Sequence, residues 1–242
     1  GELTPHEVGK LRAYARQLGL SDHFDSLPEF VDELAPLVIK KLEDEGMTPI
    51  RFMKELAAKD TRLMALVNEL EQHSIQSGRR ISWLTEDFNA VNGRLITEQA
   101  GKQRIEINPL RTIGSKKSQL GIFGTVGHEL GHNPAELEGW VGISRNEFRI
   151  RNIPTMAADE AHAVISEHGI IQKLMAMNLI KEKDLSTRTL KVAAIMADQS
   201  LSSEEKVRRI ILTIRTVSGL WGQTYADHWI ETLDDLWHAH FR

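Results

Sequence analysis

The sequence predicts an α+β fold that is mainly helical, with a small β-sheet beside one central helix. Three observations predict it. Apolar residues recur at helical spacing through the first 75 positions and again beyond residue 155, with capping residues at the ends. After Gln76-Ser77-Gly78 the pattern changes to short runs with strand character. A helix-compatible stretch then carries His128-Glu129-Leu130-Gly131-His132.

The elements follow in order. Thr4-Pro5-His6-Glu7 is a capping box with Pro at the first helical position, and Val8, Leu11, Tyr14, Ala15 and Leu18 continue it until Gly19. Ser26 and Pro28 start a second helix with Phe30, Leu34, Leu37, Val38 and Leu42, which Pro36 is positioned to kink or break and Gly46 closes. Thr48-Pro49 opens a third, with Phe52, Met53, Leu56, Leu63, Val67 and Leu70. Ile81-Ser82-Trp83-Leu84 reads as a short strand, and Arg94–Glu98 with Arg104–Ile107 as a hairpin around Ala100-Gly101-Lys102. Residues 135–153, with Gly139, Trp140, Gly142 and Pro154 as markers, read as irregular, and a helix over 155–178 is capped by Thr155. Leu190–Ala197 is apolar, Ser202-Ser203-Glu204-Glu205 starts another helix, and a last one follows Gly222.

Composition bounds the function. The 242 residues, 41% hydrophobic and 26% charged, suit a soluble globular protein of one large domain or two small ones. No apolar run reaches the ~18–20 residues that span a bilayer. A net charge of −4 gives no reason to expect nucleic acid, and Arg79-Arg80 and Lys116-Lys117 read as solvated loops. Cysteine is absent, which excludes disulfides, thiolate ligands and a cysteine nucleophile. With no signal-peptide pattern at its start, the chain is expected to be cytoplasmic or secreted by a specialised bacterial system.

His128 and His132, four residues apart, share one face of a helix and can reach one metal ion. Glu129 lies beside the first and can act on a water there. Leu120, Ile122, Phe123, Val126 and Leu130 lead into the motif, Ser118 reads as the N-cap, and Asn133-Pro134 stops the helix. Gly124, Gly127 and Gly131 each cost about 1 kcal/mol relative to Ala. Their presence implies that a neighbouring element approaches closely. A third protein ligand is required for a stable zinc site.

Residues 104–168 resemble the catalytic segment of zincin metallopeptidases, in which an edge strand, here Arg104–Pro109, precedes the helix of a His-Glu-x-x-His motif. The metzincin form fails, because Glu138 stands where its third His belongs and Ala135 where its Gly belongs. Asp159-Glu160-Ala161-His162-Ala163 is similar to the gluzincin forms at the third ligand, which implies Glu160. Glu138, Asp159, His162 and Glu167 are the alternatives, Glu167 also as a partner orienting a ligand His. The resemblance implies Zn2+ held by His128, His132 and Glu160, with Glu129 as general base. With the junction at Gln76-Ser77-Gly78, the chain is expected to divide into a helical region, 1–77, and a zincin-like catalytic domain, 78–242. An oxyanion donor is expected as well. Tyr225 and His228, three apart on one helical face, are the candidates, against the alternative that Tyr225 packs with Trp229 and His228 is at the surface. His238 and His240 are expected to be exposed.

The activity implied is zinc-dependent endopeptidase cleavage of a protein or peptide substrate. A bacterial effector or toxin protease is one host of such a site. An intracellular regulatory peptidase of the anti-repressor kind is another. A non-catalytic zinc-binding interaction protein and hydrolysis of a non-peptide amide stay open.

Overall fold

A computed structural model of the chain describes residues 27–86, 92–97, 102–112, 116–133, 137, 144–215 and 225–240. The expected helix over Thr4–Leu18 lies outside them. Helix α1 spans Leu27–Asp44 and passes through Pro36 without breaking. Gly46, at φ +62°, reverses the chain after it. What reads as one helix from Pro49 onward is two, α2 (Pro49–Ala57) and α3 (Thr61–Gln76). The break is made by Asp60, whose carboxylate accepts from Arg62 N at 2.9 Å and Leu63 N at 3.2 Å and so caps α3.

Three strands follow, β1 (Arg80–Trp83), β2 (Gly93–Thr97) and β3 (Gln103–Ile107), in the order β1-β3-β2. β2 and β3 pair antiparallel with Leu95 opposite Ile105, as the hairpin pattern predicts. β1 pairs parallel with β3, Ile81 opposite Ile105. β3 is therefore the central strand of this sheet and not the expected edge strand. A parallel neighbour joins through a long connection and leaves no turn signature in the sequence. Central position explains why Ile105 and Ile107 are fully buried.

Helix α4 is one turn, Pro109–Thr112, and α5 spans Lys116–Gly131. Helix α6 runs from Arg145 to Ala176, starting ten residues before the expected helix. Ser144 caps it: its Oγ accepts from Glu147 N at 3.3 Å while Glu147 Oε2 accepts from Ser144 N at 2.8 Å. Thr155 is inside the helix. So is Pro154, which deprives the Ile150 carbonyl of its usual partner; Ile150 is 72% exposed, so water can replace the lost bond. Helices α7 (Thr187–Ala197), α8 (Ser203–Ile214, capped by Ser202) and α9 (Tyr225–His240) complete the described chain.

The chain forms two compact units. The first draws on the chain up to Leu130 and on Ile170–Ile180. In it Val38, Met53 and Leu66 of α1–α3 share one buried cluster with Trp83, Ile105, Phe123 and Val126, so the N-terminal helices and the sheet build a common core across the junction at residue 77. The second draws on Gly131–Gly169 and the described residues from Lys181 onward. Its core is Ala157, Ala161, Val164, Val192, Ile210, Ile214 and Trp229.

Within the second unit Asp234 of α9 holds Arg145 and Arg149 of α6, the Arg145 Nε contact being 2.8 Å. Hydrogen bonds from Arg145 and then Arg149 keep the Asp234 carboxyl well below the usual carboxylate range. A carboxyl depressed by folding contributes stability above its unfolded pKa and loses it as pH falls toward the folded value. Asp234→Asn is therefore expected to lower the urea midpoint at pH 7, with the gap to wild type shrinking at pH 3. An equal gap at both pH values would show that the charge is not what joins these helices.

Candidate metal centre

Helix α5 carries the motif at its C-terminal end. It begins at Lys116, so Ser118 lies in its first turn and not at the cap. His132 is the residue just past the last helical one. His128, Glu129 and His132 nonetheless bring one ligand atom each to within 4.8 Å of one another, and this group can hold a metal ion. Glu129 is buried, at 5% exposure, while the two imidazoles are partly open.

Gly127 and Gly131 are used as expected. A Cβ on Gly127 would lie 2.5 Å from Ile170 Cγ1, and one on Gly131 would lie 2.4 Å from Ser166 Cβ and 3.0 Å from Ala163 Cα. Only hydrogen fits at either point. Gly93, where β2 begins, has the same role toward the base: its Cβ would meet Thr125 Cγ2 at 2.6 Å and Glu129 Oε1 at 3.1 Å. The sheet backbone thus forms a wall against the Glu129 carboxylate.

The end of α5 is tied down by Arg79. The last carbonyls of a helix have no partner within it. Arg79 Nη1 donates to Leu130 O at 2.9 Å, and its Nε donates to Gln103 Oε1 of β3 at 2.8 Å. Arg79 is 8% exposed, which corrects the expectation of a solvated loop: a guanidinium goes inside when carbonyls need donors there.

His132 is fixed by its neighbour on α6. Asp159 Oδ2 lies 2.9 Å from His132 Nδ1, and Asp159 Oδ1 accepts from Asn133 N at 2.5 Å. A carboxylate on Nδ1 holds the proton there and leaves the Nε2 lone pair for a ligand role. Glu160 Oε2 stands 4.0 Å from that Nε2. The ligand atoms that lie within 4.8 Å of one another are those of His128, Glu129 and His132, two imidazoles and a carboxylate of the kind divalent transition metals take; Glu160 is near His132 but is not in that group. Asp159 is thereby occupied in orienting His132. Asp159→Ala is expected to weaken metal affinity by about 10–100-fold in a calorimetric titration. Wild-type affinity in that variant would show that His132 needs no orienting partner.

Glu138 lies outside the described residues. His162 is exposed. Glu167 Oε2 accepts from Arg188 Nη2 at 3.2 Å. Tyr225 packs its ring on Trp229, centroids 6.3 Å apart, and its phenol oxygen accepts from Arg188 Nη1 at 3.3 Å. Burial first, then the charge of Glu160, pushes the phenol up to about 12, so it stays protonated and able to donate at neutral pH. His228 falls in α9, but its side chain, like that of His240, is outside the described residues. His238 is exposed, as expected.

Gly93, Arg79 and Arg188 had no signal in the sequence. Asp159 had one: it adjoins Glu160 in a polar island within an apolar stretch, and adjacent carboxylates can reach different atoms of one imidazole. Among known proteins the chain matches no family model, no curated protein and no solved structure, so the chemistry of this centre rests on its own residues.

Proposed function

We propose that the chain is a zinc-dependent peptidase of the gluzincin type, with His128, His132 and Glu160 as ligands and Glu129 as general base. The observation that carries the reading is His132, oriented by Asp159 through Nδ1 with Nε2 toward the Glu160 carboxylate, beside a buried Glu129. An intact base argues for hydrolysis over a purely structural site, where it would have no use. Zinc at these residues would supply Lewis acidity and make water ionisable near neutral pH. Glu129 takes the proton of the attacking water and hands it to the leaving amine. The closeness of the Gly93 backbone restricts the directions in which that carboxylate can point. Tyr225, protonated at neutral pH, is the candidate donor to the oxyanion.

Metal analysis of the purified chain is expected to return about one zinc per molecule. Cleavage of a labelled, unstructured protein should stop on chelation and return with zinc. Glu160→Ala is expected to lower the stoichiometry. A wild-type chain that holds no zinc, or cleaves without it, ends this reading; full occupancy in Glu160→Ala moves the third ligand to Glu138.

A further inference from the structure

We infer that Arg79 is a positioning residue for Glu129, holding in place the backbone from which the general base projects; the inference rests on the peptidase reading above. The sequence leaves two carbonyls at the end of α5 short of donors. In a continuing helix Leu130 O would accept from residue 134, but that residue is Pro134 and has no N–H. Glu129 O would accept from Asn133 N, which donates instead to Asp159 Oδ1. Arg79 supplies the missing donor. Its Nη1 donates to Leu130 O at 2.9 Å and to Glu129 O at 3.5 Å, the latter at the long end of hydrogen-bond range. A cation also suits the negative end of the helix dipole.

The guanidinium is itself fixed by the sheet. Its Nε donates to Gln103 Oε1 at 2.8 Å. Gln103 opens β3, and Arg80, next to Arg79, opens β1 and pairs with Arg104. Glu129 is thus held from both ends of β3. Arg79 and Gln103 hold its backbone from the end where β1 and β3 begin. Gly93, opposite Ile107 where β3 ends, stands against its carboxylate. All of these residues belong to the first compact unit. A carboxylate bounded at its tip keeps one direction only if its backbone is bounded too, and proton transfer depends on that direction. A lysine would not substitute fully, because one ammonium lacks the rigid fork that spans the Gln103 oxygen and the helix carbonyls.

The chain has three Leu-Gly peptides, beginning at Leu18, Leu120 and Leu130, so carbon-13 on leucine carbonyls with nitrogen-15 on glycine reports the Leu130 carbonyl among three signals. In the metal-free protein Arg79→Met is expected to move that carbonyl resonance upfield as its hydrogen bond is lost, with Arg79→Lys moving it less. With zinc and substrate saturating, Arg79→Met should lower kcat by about 10- to 100-fold, the cost of a reacting group misplaced by up to an ångström, with KM within about threefold and zinc content unchanged. A bond that only stabilises the fold would lower the urea midpoint and leave the kcat of the folded protein alone. In a Glu129→Gln background the same substitution should cost less than about twofold, since Arg79 acts through that carboxylate. Arg79→Lys serves in the same cycle if the methionine variant fails to fold. An unmoved resonance, a kcat within tenfold of wild type for Arg79→Met, full additivity, or a loss confined to KM or to zinc content overturns the proposal while leaving an active wild type and the peptidase reading intact. An inactive wild type ends the peptidase reading and this proposal with it, whatever the resonance shows.

Discussion

Glu129→Gln is expected to keep its zinc and lose hydrolysis. The substitution preserves volume in a place where volume is constrained: Glu129 is 5% exposed and its Oε1 faces the Gly93 backbone. A glutamine amide fits that slot but cannot take a proton from water. The expected loss in kcat is about 100- to 10,000-fold, the range for removing a positioned general base. Ligation by His128 and His132 does not involve this carboxylate in the proposed scheme, so metal content should stay at wild-type level. The measurement is zinc stoichiometry beside steady-state cleavage. Activity within tenfold of wild type would sink the mechanism, because no other buried carboxylate adjoins the motif histidine in sequence.

Gly131→Ala is expected to destabilise the protein by about 1–3 kcal/mol, the usual cost of forcing a methyl into a closed contact. Helix propensity alone argues the opposite sign, since Gly to Ala in a helix interior gains about 1 kcal/mol. The contact decides. The new methyl would stand 2.4 Å from Ser166 Cβ and 3.0 Å from Ala163 Cα, and neither is the far end of a flexible side chain. The backbone must move, and His132 is the next residue, so metal affinity should fall with stability. Gly121→Ala, in the same helix, has nothing within 4 Å and should stabilise by about 0.5–1 kcal/mol. Urea midpoints of the two variants test the pair. A stabilised Gly131→Ala would mean that α6 does not approach as closely as described.

Local signals proved dependable where the energetics are local. Thr48 and Ser202 cap the helices they precede because a hydroxyl reaches amides three residues ahead, whatever surrounds it. The hairpin of β2 and β3 was readable for the same reason. The sequence misleads where packing outweighs a breaker residue and where a cap interrupts a continuous apolar period. Pro36 and Pro154 sit inside helices, and Asp60 divides what apolar periodicity presents as one. A proline costs one hydrogen bond, a loss that water or packing can absorb.

His128, Glu129, His132 and the Asp159-Glu160 pair were legible because four-residue and adjacent spacings place groups through backbone geometry alone. Their pairing was not. That Asp159 takes Nδ1 while Glu160 stands 4.0 Å from Nε2 depends on how α6 meets the end of the motif. That meeting is possible because Gly131 has no side chain. The burial of Arg79, the wall that Gly93 makes against Glu129, and the bridge of Arg188 between Glu167 and Tyr225 join residues from 21 to 51 positions apart. No periodicity spans such distances. The chain alone thus determined that His128, Glu129 and His132 come together as a group able to hold a metal; packing decided which atom of each neighbour faces which, because hydrogen-bond direction is a property of three-dimensional placement and not of spacing.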